Sequence, residues 1–524
     1  MIITLACCSY AQSTFMKTFR GTGTAQANLN ELSSGNLLVG MARQSGTSLM
    51  DAEGNIIQSH NYAIDTLLAI QSVKKWLDNE LFLVGGYYKD TCTAGTLGLI
   101  TKTYPVIGKL DSLGNLTELR HYVLNSNMCS NVAGDLIIIN NKNIVIWGRD
   151  AMFFALRADS SGEVVWAKRF IEQGGFQFIK ELPGGDLLAG INMDTAGAVV
   201  ARMDADGNFL WCKSYIRPLG RVHDAIIESD SSFVITGFTE YSDQHMFLPF
   251  PPDFHPKLFM MKLDGQGEVQ WCKGYDSAPN YWHTPRPSRI VKTLDGQYAI
   301  LGTLGYPGYN RFLRPFLMKA DQNGDTIWTR SVGADGYEYQ SQNLLAYSDG
   351  SFLFNGRIWG GLPEGQANFA FLFKADSLGH LPCDELQHPI TISNLFPTDS
   401  SFTLTSVDGA TAYPAYVQDT TYDAIQVYNA CTHTGVPNLY NLGRNKPRIR
   451  PNPNTGRFTV DFPDPLMADS FYSVYDAMGR LLFQRPLHSG QQSEEIDLSR
   501  FGRGTYVVRI TGKDGVSNER VVVQ

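Results

Sequence analysis

One turn, repeated, constrains this chain more than anything else in it. Asp-x-x-Gly occurs at Asp51/Gly54, Asp111/Gly114, Asp159/Gly162, Asp204/Gly207, Asp264/Gly267, Asp321/Gly324 and Asp376/Gly379, in steps of 45 to 60 residues. A period of that length marks an array of repeats or a ring of sheets. Each copy lies between two strand-like runs, as in residues 316–320 before Asp321 and 326–330 after Gly324, and glycine supplies the positive φ of a short hairpin turn. Some 20 to 35 residues upstream of most copies is a second turn, such as Ser34-Gly35, Gly184-Gly185-Asp186, Asp295-Gly296 or Asp349-Gly350, followed by an apolar run ending in Gly. Each repeat therefore holds four strands, a to d, in two hairpins.

Four strands per repeat is the content of one propeller blade, so the expected fold is all-β with a seven-bladed β-propeller. The last repeat lacks strand d, because His380-Leu381-Pro382-Cys383 follows Gly379. Phe15-Met16-Lys17-Thr18-Phe19 matches Trp166-Ala167-Lys168-Arg169-Phe170, so the N-terminal strand is expected to complete the last blade and leave no open sheet edge. Fifty glycines, 12% aromatics and only 18% charged residues in 524 agree with many tight turns and few helices. A net charge of −8 gives no footprint for nucleic acid, and no apolar run is long enough for a transmembrane segment. Residues 1–11 read as the end of a signal peptide without its basic start, with a lipoprotein cysteine (Cys7 or Cys8) as the weaker alternative.

The copies that continue to Trp166, Trp211, Trp271 and Trp328 resemble the Trp-docking repeats of pyrroloquinoline-quinone-type propellers. Those proteins have eight blades and a calcium-bearing cofactor site, for which no acid and aromatic cluster is found here, so no cofactor and no metal are expected. A tryptophan packed between blades with its N–H on a carbonyl explains the motif. Asp204-Ala205-Asp206-Gly207 lacks the downstream Glu of a calcium loop. His245, His255 and His283 fit no zinc spacing. There is no Gly-x-Ser-x-Gly elbow, and Glu240, Asp253 and Asp335 make no defined carboxylate pair.

In a four-stranded blade the a–b and c–d turns share one face, and the b–c and d–a connections share the other. Insertions fall on the second set, near 87–103, 239–257, 275–287, 304–314 and 358–368. They carry Tyr281, Trp282, His283, Tyr306, Tyr309, Arg311 and Trp359, expected to bind a ligand because loops on a rigid scaffold are where recognition is placed. The bland alternative is that these aromatics pack the loops against each other. Cys383 with Cys431, and Cys92 with Cys129, are the disulfide candidates; Cys212 and Cys272 either pair or stay as buried thiols.

The domain plan is a propeller over 12–383, a polar connector over 384–447 and a C-terminal module over 448–524. In that module stand Pro451-Asn452-Pro453-Asn454-Thr455-Gly456-Arg457-Phe458, then Tyr475-Asp476-Ala477-Met478-Gly479, then Gly504-Thr505-Tyr506, and a terminal Val-rich strand. These motifs, in this order, resemble the type A sorting domain of bacterial type IX secretion cargo. Apolar alternation at Phe458/Val460/Phe462 and Tyr506/Val508/Ile510 adds a small immunoglobulin-like β-sandwich. The resemblance implies passage through the periplasm, docking to the outer-membrane translocon, removal by its sorting protease, and release or surface anchoring. With no catalytic cluster, the expected passenger is a non-enzymatic module that binds a glycan or a surface protein; the alternatives are a secreted polysaccharide- or peptide-degrading hydrolase or lyase, and a purely structural repeat protein.

Overall fold

The computed structural model describes residues 14–20, 26–41, 46–62, 68–77, 80–93, 99–124, 132–139, 142–149, 153–193, 197–216, 219–239, 257–277, 286–305, 313–333, 337–347, 349–362, 365–383, 385–387, 390–415, 420–421, 426–429, 447–462, 470–476, 481–488, 490–512 and 515–524. The chain is all-β: among these residues the one helical segment is the 3-10 turn Ser499–Phe501, and no helix is long and apolar enough to cross a membrane. It divides into two compact units, Met1–Ala430 and Cys431–Gln524.

The first unit contains seven antiparallel sheets, numbered here by their order in the chain. Sheet 4 is representative: Gly174–Glu181, Leu187–Met193, Gly197–Met203 and Phe209–Ile216 lie side by side as strands a to d. The a strands of the seven sheets are Gln26–Glu31, Leu68–Leu77, Val132–Ile138, Gly174–Glu181, Leu219–Ser229, Arg286–Lys292 and Tyr337–Ala346. Each touches the a strands before and after it, and that of sheet 7 touches that of sheet 1, so the sheets close into a propeller-like cycle around their a strands. Strand d of sheet 7 is the N-terminal Phe15–Arg20, paired with Gly365–Ala375 in the register Phe15↔Lys374 to Phe19↔Ala370.

Seven short strands within the segment read as a polar connector belong to these same sheets. Glu385–Gln387 pairs with strand d of sheet 6, Ile390–Asn394 with sheet 5, Thr398–Ser401 with sheet 4 and Ser406–Asp408 with sheet 3. Ala410–Pro414 then pairs with sheet 2, Thr420–Thr421 with sheet 1 and Gln426–Asn429 with Phe15–Arg20 of sheet 7. The segment is a belt that runs round the cycle against the order of the chain and gives every sheet a fifth strand. Its strands are two to five residues long and cover an outer edge: they satisfy the d strands' free N–H and C=O groups, while Ile390, Ile392, Ala410, Ala412 and Val427 pack partly buried against the neighbouring cores.

Two stretches read as loop insertions are also strand. Glu80–Thr93 and Leu99–Leu110 pair out to Thr93↔Leu99, and Phe352–Leu362 with Gly365–Ala375 pair out to Leu362↔Gly365. The β-branched and aromatic residues in them, among them Thr91, Thr93, Ile100, Thr103 and Tyr104, favour a pleated ribbon over an irregular loop. The second unit is a three-stranded sheet (Arg448–Arg450, Arg457–Asp461, Ser493–Asp497) and a four-stranded sheet (Leu481–Leu487, Ser470–Tyr475, Gly504–Gly512, Gly515–Val523) around one core that includes Phe458, Val460, Val474, Ile496, Val508 and Val521.

Candidate functional site

The repeated turn has a structural task. In every copy the Gly N–H bonds the Asp carbonyl, and in copies such as that at Asp264 the Asp carboxylate accepts the N–H groups two and four residues on. The glycine φ is +76° to +90° across the seven copies. Strand d of the preceding sheet docks on that turn. Trp166 Nε1 donates to Ala205 O at 2.9 Å, and Trp211 Nε1 to Gly265 O at 3.0 Å. Tyr62, Tyr122, Tyr215 and Tyr275 donate their hydroxyls to the carbonyls of Gly114, Gly162, Gly267 and Gly324 at 2.5 to 3.0 Å. Lys168 reaches Asn208, Lys213 reaches Glu268 and Lys273 reaches Asp325. Sheet 7 docks on sheet 1 in the same way, with Phe15 against Gly54 and Lys17 Nζ on Asn55 at 2.9 Å. Asp204 holds Asp206 N and Asn208 N, so this loop too is turn chemistry.

The side chains that converge elsewhere are on the a strands. All seven carry a register irregularity, for example Ile70/Ser72, Ala133/Asp135, Val222/Asp224, Pro287/Arg289 and Ser341/Asn343. A bulge re-aims the residue that follows it, and here those residues come together. Asp135 takes Arg289 Nη2 at 3.5 Å from three sheets away, Lys74 Nζ at 3.7 Å and the Ser72 hydroxyl. Asp224 takes Lys180 Nζ at 2.9 Å and Ile290 N at 3.1 Å. Arg289 Nε donates to Asn343 Oδ1 at 3.3 Å. Burial by itself would raise both carboxyls, but the neighbouring cations win: Lys74 and Arg289 hold Asp135, and Lys180 and Arg289 hold Asp224, below the ordinary carboxylate range. Burial pushes the Lys74 ammonium down.

Most of the residues expected from the sequence to bind ligand, Tyr281, Trp282, His283, Tyr306, Tyr309 and Arg311, lie outside the described residues. So do His245, His255, Glu240, Asp253, Asp335 and the leader 1–11. Trp359 stands in Phe352–Leu362, its backbone opposite Glu338 and Asn368. Among the described residues no group of three or more His, Cys, Asp or Glu is placed to hold a metal. Cys383 is disulfide-bonded, while its expected partner Cys431 lies outside the described residues, as does Cys129; Cys92 is in a strand. Cys212 and Cys272 are free and buried, and burial pushes both thiols up to about 12.

In the second unit the motif residues join the two ends of the module. Asn452 Oδ1 accepts Val522 N at 2.9 Å and its Nδ2 donates to Arg520 O at 2.7 Å. Asn454, absent from the sequence-based site although its motif was read, bonds Val522 O and Gln524 N through its backbone and Gly456 N through its side chain. Gly456 has φ +109°, and a Cβ there would stand 2.7 to 3.0 Å from Ser499. Phe458 and Tyr506 are buried, with the Tyr506 hydroxyl 2.8 Å from Phe501 O and 2.9 Å from Gly502 O. Pro451, Pro453 and Gly504 are exposed, and Gly479 lies outside the described residues.

No curated protein matches the chain. Among solved structures, a streptogramin B lyase is 11% identical, with a TM-score of 0.41, over 69% of this chain and 98% of its own. A virginiamycin B lyase from Staphylococcus aureus is 10% identical (TM-score 0.40; 69% and 99% covered). A protein of unknown function from Bacteroides caccae is 12% identical (TM-score 0.33; 60% and 93% covered). None is similar enough to carry an activity over. Residues 448–524 match the family described as secretion system C-terminal sorting domain. This chain is cargo of the type IX secretion system, exported to the cell surface or beyond it.

Proposed function

We propose that the exported chain is a non-enzymatic binding protein: a seven-bladed propeller whose b–c and d–a face engages a glycan or a surface protein. The observation that carries this reading is how differently the two ends of the sheets are used. The c–d turns are short, alike and occupied by the docking of the preceding sheet, which leaves the opposite end free to vary. That end carries the ribbon reaching Thr93 and Leu99, and the reading assigns to it Trp359 and the inserted segments with Tyr281, Trp282, His283, Tyr306, Tyr309 and Arg311.

In the same reading the N-terminal strand closes the last blade, residues 12–383 with the belt make the passenger, and 448–524 form an immunoglobulin-like sandwich. The sandwich docks to the outer-membrane translocon and is removed by its protease. The test is a glycan and polysaccharide array with the full chain beside Trp282→Ala and Trp359→Ala. Saturable binding lost in these variants supports the reading. Binding that both variants retain removes the loop face, and turnover of any arrayed polymer replaces the binding protein with an enzyme.

A further inference from the structure

Among the described residues, five charged side chains of the a strands are linked and do not cancel among themselves. Lys74, Lys180 and Arg289 face Asp135 and Asp224, a surplus of one positive charge. The five act on one another: Lys74 feels Asp135, Arg289, Lys180 and Asp224, and both carboxylates feel Arg289.

Two of the three cations are also poorly satisfied. Among the described residues Lys74 has no acceptor nearer than Asp135 at 3.7 Å. Arg289, with five N–H donors in a planar fork, makes no hydrogen bond or ion pair shorter than 3.3 Å among the described residues: Asn343 Oδ1 at 3.3 Å, and Ser288 O and Asp135 Oδ2 at 3.5 Å. Partly buried cations with unused donors are costly unless something else takes those bonds. Access points the same way. The side chains of Lys74, Lys180 and Arg289 are 33, 35 and 25% exposed, whereas Asp135 is 17% and Asp224 only 3% exposed. The three basic side chains are the more exposed members of the group and the two carboxylates the more buried.

We propose that Lys74, Lys180 and Arg289 form an oxyanion site inside the cycle of sheets, taking a carboxylate, sulfate or phosphate group of a ligand. The guanidinium fork offers paired N–H donors to two oxygens and the lysines add point charges, the division of labour that suits such groups. Asp135 and Asp224 limit the surplus to one charge, so binding is reversible and sensitive to salt. The site uses no residue of the loop face and stands or falls separately from it.

The experiment is calorimetric titration and thermal unfolding of the full chain with sodium sulfate and sodium phosphate at constant ionic strength, against chloride. Galacturonate oligomers are compared with neutral galactose oligomers of equal length. Saturable binding of the inorganic anions or of the uronate is expected, and which of them binds more tightly tells a free anion from one carried on a sugar polymer. Lys74→Gln removes the surplus and is expected to weaken binding about tenfold or more. Asp135→Asn doubles the surplus and is expected to tighten it several-fold, an effect that a merely structural role for Asp135 does not produce. No saturable response to any of the probes by the folded wild-type chain overturns the proposal, and so does an Asp135→Asn protein that folds and binds more weakly. If Asp135→Asn fails to fold by circular dichroism, Lys74→Gln decides: unchanged affinity overturns the proposal.

Discussion

At the scale of single residues the docked turns are where small changes cost most. Tyr215 is fully buried, and its hydroxyl serves Gly267 O on the next sheet. Tyr215→Phe leaves that carbonyl unpaired and is expected to destabilise by about 1–2 kcal/mol, read as a lower urea midpoint at unchanged m-value. Gly267→Ala is expected to cost more, since φ is +78° and the added Cβ stands 3.0 Å from both the Trp211 ring and the Tyr215 hydroxyl. Glu228 sets an acid limit. Burial opposes its ionisation, but Lys262 at 2.8 Å, Tyr298 at 2.6 Å and Ser232 at 2.8 Å hold it at about 2, below its ordinary 4.5. A depressed carboxyl contributes stability above its unfolded pKa and loses it as pH falls through the folded value. Glu228 therefore stabilises fully above about pH 4.5 and ceases to by about pH 2. In Glu228→Gln the unfolding midpoint is expected to fall less steeply across that window, while the protein is on the order of 1–2 kcal/mol less stable at neutral pH. The tryptophan's task was legible in the sequence, because a repeated Trp at a fixed distance from a turn has one cheap explanation. The charged a-strand residues were not: Lys74, Asp135, Lys180, Asp224 and Arg289 stand singly, at different distances from their turns, and only the bulges align them.

At the scale of elements the belt and the N-terminal strand explain how a cycle of sheets manages its edges. Phe15–Arg20 lies between Gly365–Ala375 and Gln426–Asn429, so both ends of the first unit meet in sheet 7. Deleting residues 12–20 removes strand d there together with the docking of Phe15 and Lys17 on sheet 1. A single unfolding transition at a lower midpoint is expected across the unit; exchange limited to sheet 7 would show that the cycle does not depend on this strand. Along the belt, Phe402 N donates to Cys212 O at 2.9 Å. Phe402→Pro removes that donor. Amide exchange is expected to quicken in Thr398–Ser401 and the facing part of Phe209–Ile216, with the far sheets unaffected. Which edges the belt strands cover could not be read from the sequence, because a strand two to five residues long carries no pattern that names its partner.

At the scale of the whole molecule the exported passenger and its sorting module make separate demands. The module closes on itself through Asn452 and Asn454, which hold Arg520, Val522 and Gln524. Removing residues 520–524 is therefore expected to unfold the sorting module, leave the first unit folded, and stop delivery in a host with type IX secretion. Surface labelling against periplasmic fractionation checks this, and normal surface display of the truncated chain would sever export from the fold of the module. The sequence by itself determined the all-β class, the repeat and its turn chemistry, the missing strand and its replacement, and the export route. Each of these is written in short-range patterns: a turn needs glycine at one position, a strand alternates, and a sorting motif is contiguous. Tertiary structure alone decided that the polar segment is a belt, that two supposed loops are ribbons, and that charges from five sheets share one enclosure. Those facts depend on which distant backbones meet and on bulges that shift a side chain's direction without altering the composition around it.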